Sequence, residues 1–198
     1  MRQKLIFLLA LIALLTFACK KSESTTDTAA SSTTTNTSAT ETSSTTSTTG
    51  TSSTLSDADK TFMTKAAEGG MMEVNLGTLA AAKATANEVR DFGNRMVTDH
   101  GKAGDELKTL AANKGVTLPT QPGEEEKKAS NDLSMKKGKD FDKAYMSLMV
   151  KGHEGVAAEF EKESKEAQDP DLKNWVTRTL PIIQDHLKMA KQIASKLK

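Results

Sequence analysis

Three histidines, the whole complement of this 198-residue chain, stand at positions 100, 153 and 186. Each interrupts a series of apolar residues at helical spacing. His100 follows Met96 by four and precedes Ala103 by three, and His153 stands in the same relation to Met149 and Val156. His186 follows Ile183 by three and precedes Ala190 by four, while Glu73 falls between Gly69 and Leu76. Residues three or four apart share a helix face. All four ionisable side chains are therefore expected to point inward with their apolar neighbours. A buried polar group without a partner costs on the order of 1–3 kcal/mol. Four at one level must satisfy one another or share an ion. Three imidazoles and one carboxylate form the donor set of a single four-coordinate ion, with zinc or copper favoured over a di-iron pair.

The di-iron reading fails on spacing. Di-iron bundles use a Glu from each of two helices and a Glu-x-x-His from each of the other two. Here Val97 stands three residues before His100 and Ile183 three before His186, so both paired carboxylates are missing. His153 occupies the place of a bridging Glu. This argues against ferroxidase or oxygenase chemistry. Asp99, Glu154 and Asp185 each adjoin a histidine in sequence, but adjacent helical residues point about 100° apart. They are poor co-ligands for the same ion. They can serve neighbouring helices as acceptors for an outer imidazole nitrogen, or they are boundary charges. Met96, Met149 and Met189 lie three or four residues from the histidines. Thioethers favour copper(I), although methionine also fills irregular core gaps.

The elements that must position these residues are long helices. After Leu55 no segment alternates apolar and polar residues as a half-buried strand would. Ser56 with Asp59 reads as a capping box opening a helix to about Lys83, with Phe62, Ala66, Gly69, Leu76 and Ala80 inward. Thr85 with Glu88 opens a second, with Val89, Phe92, Met96, Ala103, Leu107 and Leu110 inward, ending at Gly115. A third starts near Asp140 and buries Phe141, Tyr145, Met149, Val156 and Phe160. A fourth starts at Asp169-Pro170 and carries Leu172, Trp175, Thr179, Ile183, Ala190, Ile193 and Leu197. The short turns make two antiparallel hairpins. About 25 residues join them, with Pro119, Pro122 and a short helix over Glu124 to Lys136. The expected fold is all-α, a ferritin-like four-helix bundle of two hairpins and a long crossover.

Eight glycines inside the long helices (69, 70, 77, 93, 101, 104, 152 and 155) forgo roughly 6–8 kcal/mol of helix propensity relative to alanine. Close helix approach is the simplest compensation, and Gly101 and Gly152 beside two of the histidines leave room for a ligand or water. Pro181, one turn before His186, predicts a kink.

The rest of the chain speaks about location. Arg2 and Lys4 precede an apolar run from Leu5 to Ala18, whose 14 residues span roughly 21 Å as a helix, short of the ~30 Å hydrocarbon core. This is an export signal over residues 1–18. Cys19, the only cysteine, follows in Leu15-Thr16-Phe17-Ala18-Cys19. The segment resembles a bacterial lipobox, with the bulky Phe17 departing from pattern, and the resemblance implies lipidation of Cys19. Lys20 after the cysteine then implies the outer membrane, facing the periplasm. Residues 19–54 form a tether. From Ser22 to Thr54, 25 of 33 residues are Ser or Thr, a composition that cannot offset the entropy of ordering. Its reach is roughly 30 Å.

The folded part is 55–198. Lys and Arg number 27 against 26 Asp and Glu over the chain, so no basic excess recommends nucleic acid as a partner. A lone cysteine excludes a disulfide framework and a Cys-cluster metal site. The expected partner is a membrane, through the lipid anchor; nothing names a protein partner.

Four segments together carry a family resemblance. They are Phe62-x3-Ala66-Ala67-Glu68-Gly69-Gly70-x2-Glu73, Met96-Val97-x-Asp99-His100, Phe141-Asp142-x2-Tyr145 with His153, and Thr179-Leu180-Pro181-x4-His186-Leu187. Leu55 to Lys198 resembles the bacterial exported family called domain of unknown function 4142, often labelled outer membrane proteins. The resemblance implies a ferritin-like bundle in the cell envelope without an established activity, and it shares Glu73, His100, His153 and His186. Two functions lead on this reading, with an enzyme third because an open coordination position cannot be read from sequence. One is an envelope protein that stores, buffers or senses a metal ion. The other is a metal-free structural or interaction module whose four side chains form a buried network fixing helix register.

Overall fold

Ser56 starts the first helix: its hydroxyl accepts the Asp59 amide at 3.0 Å. The computed structural model describes residues 55–197, which form five helices and, among the described residues, no strand. These are α1 (Asp57–Lys83), α2 (Asn87–Asn113), α3 (Glu124–Ser134), α4 (Gly138–Glu166) and α5 (Pro170–Lys196). The apolar leader, Cys19 and the Ser/Thr tract lie outside the described residues. No described helix is long and apolar enough to cross a membrane.

Two caps differ from the sequence expectation. Asp59 does not close the box by reaching back to Ser56. Its carboxylate instead accepts the amides of Gln168 and Asp169 at 3.3 and 3.2 Å, tying the start of α1 to the α4–α5 turn. Thr85 and Glu88 do not cap α2 either. The helix begins at Asn87 after Ala86, and the carboxylate that serves its free amides is Asp142 of α4, which accepts from Thr85 N and Ala86 N at 3.0 and 2.9 Å and from the Thr85 hydroxyl. A buried carboxylate from another helix outcompetes the local pair because it meets several donors at once. The other ends follow the sequence. Gly115, at φ 69°, closes α2 with Val116 N donating to Ala111 O and Gly115 N to Ala112 O, a Schellman ending. Asp169 caps α5 with Pro170 in its first turn, and the helix continues through Pro181.

The core forms two clusters along the bundle. One joins Phe62 and Met63 of α1, Leu107 of α2, Phe160 of α4 and Leu172 and Trp175 of α5. The other joins Leu76 and Ala80, Val89 and Phe92, Phe141 and Tyr145, and Ala190. Helices α1 and α5 therefore run from the first cluster to the second, and α2 and α4 run back. Since α2 and α4 are parallel, the chain between them must travel the length of the bundle. Leu133 of α3 is buried in the second cluster, where that crossover arrives. This is the ferritin-like connectivity.

Only two of the helix glycines are demanded by close approach. A Cβ on Gly77 would stand 2.6 Å from Gly93 O, and one on Gly93 would stand 2.8 Å from Gly77 O, so α1 and α2 cross backbone to backbone there. Around Gly69, Gly70, Gly101, Gly104 and Gly155 there is open space.

Candidate functional site

The four expected side chains meet at the seam between the two core clusters, one from each long helix. Glu73 on α1, His153 on α4 and His186 on α5 are buried, and the His100 side chain on α2 is 12% exposed. Glu73 Oε2 lies 2.8 Å from His100 Nε2 and 3.2 Å from His153 Nε2. The imidazole centroids are 5.7 Å apart for His100 and His153, 5.2 Å for His100 and His186, and 5.5 Å for His153 and His186. One nitrogen from each ring falls within 4.8 Å of the others, so the three histidines can form a metal site. Each hairpin supplies two of the four groups.

Outer partners set which nitrogens face the centre. His153 Nδ1 lies 2.9 Å from the Met149 carbonyl, which can only accept, so Nδ1 carries the proton and Nε2 a lone pair. His186 Nε2 lies 2.8 Å from Asp99 Oδ2, an ionised acceptor, which leaves Nδ1 as the lone-pair nitrogen. Both of these inner nitrogens are buried and without a hydrogen-bond partner. Glu73 Oε2 and His100 Nε2 approach closely but lack hydrogen-bond alignment. The three histidines thus bring one nitrogen each within 4.8 Å of the others, Glu73 reaches two of them, and each imidazole whose outer nitrogen is held donates it to a carbonyl or a carboxylate. That is the arrangement metal-binding imidazoles use.

Electrostatics divides the four unequally. Burial pushes the Glu73 carboxyl up, yet the surrounding imidazoles, His100 above all, outweigh it and hold the group below the usual carboxylate range. Burial likewise pushes His100 down, and Glu73 overturns it, so His100 is held charged more readily than a free imidazole. His153 lies below its ordinary value because burial outweighs Glu73. Burial takes His186 down to about 4 despite its bond to Asp99. Without an ion, the pairing of Glu73 with His100 favours the charged form of both, and burial favours the neutral form of His153 and His186.

Of the three acidic neighbours, only Asp99 touches a histidine. Arg95 donates to it at 3.2 Å and to Asp185 at 3.0 Å, which places Asp185 in a half-exposed bridge. Glu154 pairs with Lys191 at 2.8 Å. Met96 and Met149 belong to the second core cluster, and the Met189 sulfur takes an Arg95 N–H at 3.7 Å. In the sequence, Phe92 and Tyr145 read as core residues on the apolar stripes. Phe92 packs edge-on to His153 and His186 at 6.4 and 6.3 Å and closes the centre on one side. The buried Tyr145 hydroxyl has no partner, and burial with the nearby Glu73 charge pushes its pKa up. Tyr145 lies eight residues before His153, two turns along the same face, which was the available signal.

Comparison with known proteins agrees with the fold. A crystal structure of a DUF305 fragment from Deinococcus radiodurans superimposes with a TM-score of 0.64 at 10% identity, covering 72% of this chain and 98% of that one. At that identity the likeness is one of fold. No curated protein matches the chain. The family model described as Domain of unknown function (DUF4142) matches residues 44–193, most of the chain, and the protein belongs to that family.

Proposed function

We propose that the bundle holds one transition-metal ion through Glu73, His100, His153 and His186, zinc or copper in preference to a di-iron pair, and that it stores, buffers or senses that ion. The observation that carries this reading is the pair of buried, unpartnered imidazole nitrogens, His153 Nε2 and His186 Nδ1, in a cluster of three histidines that can bring one nitrogen each within 4.8 Å. Ligand nitrogens on a tetrahedral zinc stand about 3.4 Å apart, given bonds of ~2.0–2.1 Å. Binding to His100 requires its ligand nitrogen to be free of a proton, so loading competes with the pairing of His100 and Glu73. The ion sits in an envelope lipoprotein on this reading: Cys19 carries the lipid, residues 19–54 the tether, and the outer membrane the anchor.

A specific observation also favours the metal-free alternative. Glu73 and His100 already compensate each other as an ion pair, and Asp99 with His186 forms a second contact, so a buried network can fix helix register without an ion. Thermal unfolding separates the two. Protein purified without a histidine tag is titrated with zinc, copper and iron; an ion at one hundred times its Kd adds about 2.7 kcal/mol of stability. No stabilisation by any of the three, with no metal in the purified protein, removes the metal reading. Unchanged binding in His153→Ala removes this ligand set. For the anchor, Cys19→Ala is expected to move the protein from the membrane to the soluble fraction.

A further inference from the structure

A partly enclosed cavity of about 60 Å³ lies beside the four-residue centre, within the first core cluster. Most of its lining is apolar, Phe62, Leu107, Phe160 and Ile183 among it, and Glu73, His100, Thr179 and the exposed Lys65 and Glu159 complete it. Two glycines, Gly69 and Gly104, contribute their absent side chains: a Cβ on either would meet nothing within 4 Å. Trp175 also lines the cavity. It is 4% exposed, and its indole N–H is buried without a partner.

These features describe a guest. A buried N–H left unpaired is costly, so something that accepts a hydrogen bond stabilises the folded state by occupying the space. The lining charges are of both signs and the buried part of the lining is mostly apolar, which favours an uncharged occupant. A cavity of ~150 Å³ admits benzene, and one water needs ~10–15 Å³, so the space suits about three or four non-hydrogen atoms. We propose that this cavity binds a small uncharged molecule with an apolar body and one hydrogen-bond acceptor, a short alcohol or carbonyl compound, held by the Trp175 N–H. The glycines are then explained as the residues that keep the space open, at a cost in helix propensity that no close helix contact repays. The walls are complete without an ion, so the test uses metal-free protein, and its outcome leaves the metal reading untouched.

Trp175 is the only tryptophan in the chain, so a ¹⁵N-labelled full chain shows one indole N–H resonance, and that resonance reports the cavity. Titration with 1-propanol is expected to shift it saturably, with a midpoint no tighter than about 0.04 mM, the ceiling for four non-hydrogen atoms. Gly69→Leu and Gly104→Leu, which put a side chain into the space, are expected to abolish the saturable shift. In the wild type 2-methyl-2-butanol, too bulky for the space, is expected to give none. A shift that rises linearly without saturating, or saturates alike for both alcohols, would overturn the proposal and leave the cavity filled by water.

Discussion

His186 shows how one side chain is prepared by its surroundings. Burial takes it down to about 4, against 6.5 for the free imidazole. Between those values the unfolded chain binds a proton that the folded chain does not, so unfolding becomes easier as pH falls from about 6.5 to about 4. His153 acts in the same direction. His100, shifted up by Glu73, acts in the opposite one, stabilising at low pH and losing that contribution as pH rises through its folded value. We expect His186→Gln to flatten the loss of stability on acidification, as read from urea midpoints across that range in metal-free protein. An equally steep loss in the variant would mean that His186 is not the group being forced to charge. The four central residues were legible in the sequence because each breaks an apolar stripe at helical spacing. The outer partners were not. Asp99, Glu154 and Asp185 look alike beside their histidines, and which of them meets an imidazole depends on how each helix is rotated. Asp99 on α2 faces α5 and reaches His186, whereas Asp185 and Glu154 turn to Arg95 and Lys191.

The helices themselves were readable nearly to their ends, since continuous apolar stripes, Pro170 and Gly115 mark them locally. What escaped was whatever depends on a partner far along the chain. Asp142 lies 57 residues from Thr85, and no local pattern says that it caps α2. Asp142→Ala leaves the Thr85 and Ala86 amides unserved in a part-buried setting, and a loss of about 2 kcal/mol in unfolding free energy is expected. A loss below about 0.5 kcal/mol would mean that water replaces the carboxylate. The glycines divide in the same way. Gly93→Ala pushes a methyl against the Gly77 carbonyl and the Ala80 side chain, and it is expected to destabilise by about 1–3 kcal/mol. Gly155→Ala meets nothing and is expected to stabilise by about 0.4–1 kcal/mol. The two have the same composition change and opposite signs, and thermal midpoints read both.

At the scale of the molecule, the polar centre interrupts the core and the two hairpins touch it from opposite sides. Glu73 and His100 belong to the α1–α2 hairpin, and His153 and His186 to α4–α5. An ion bound by all four is therefore expected to slow amide hydrogen exchange in both hairpins together, most of all around the middle of each helix. Protection confined to one hairpin would show that the other supplies no ligand. The split of donors has a last consequence. Neither half of the chain can capture an ion firmly alone, because each brings only a pair of ligands. A tightly held ion would then require both hairpins to be folded and docked, and its retention would report that the bundle is assembled.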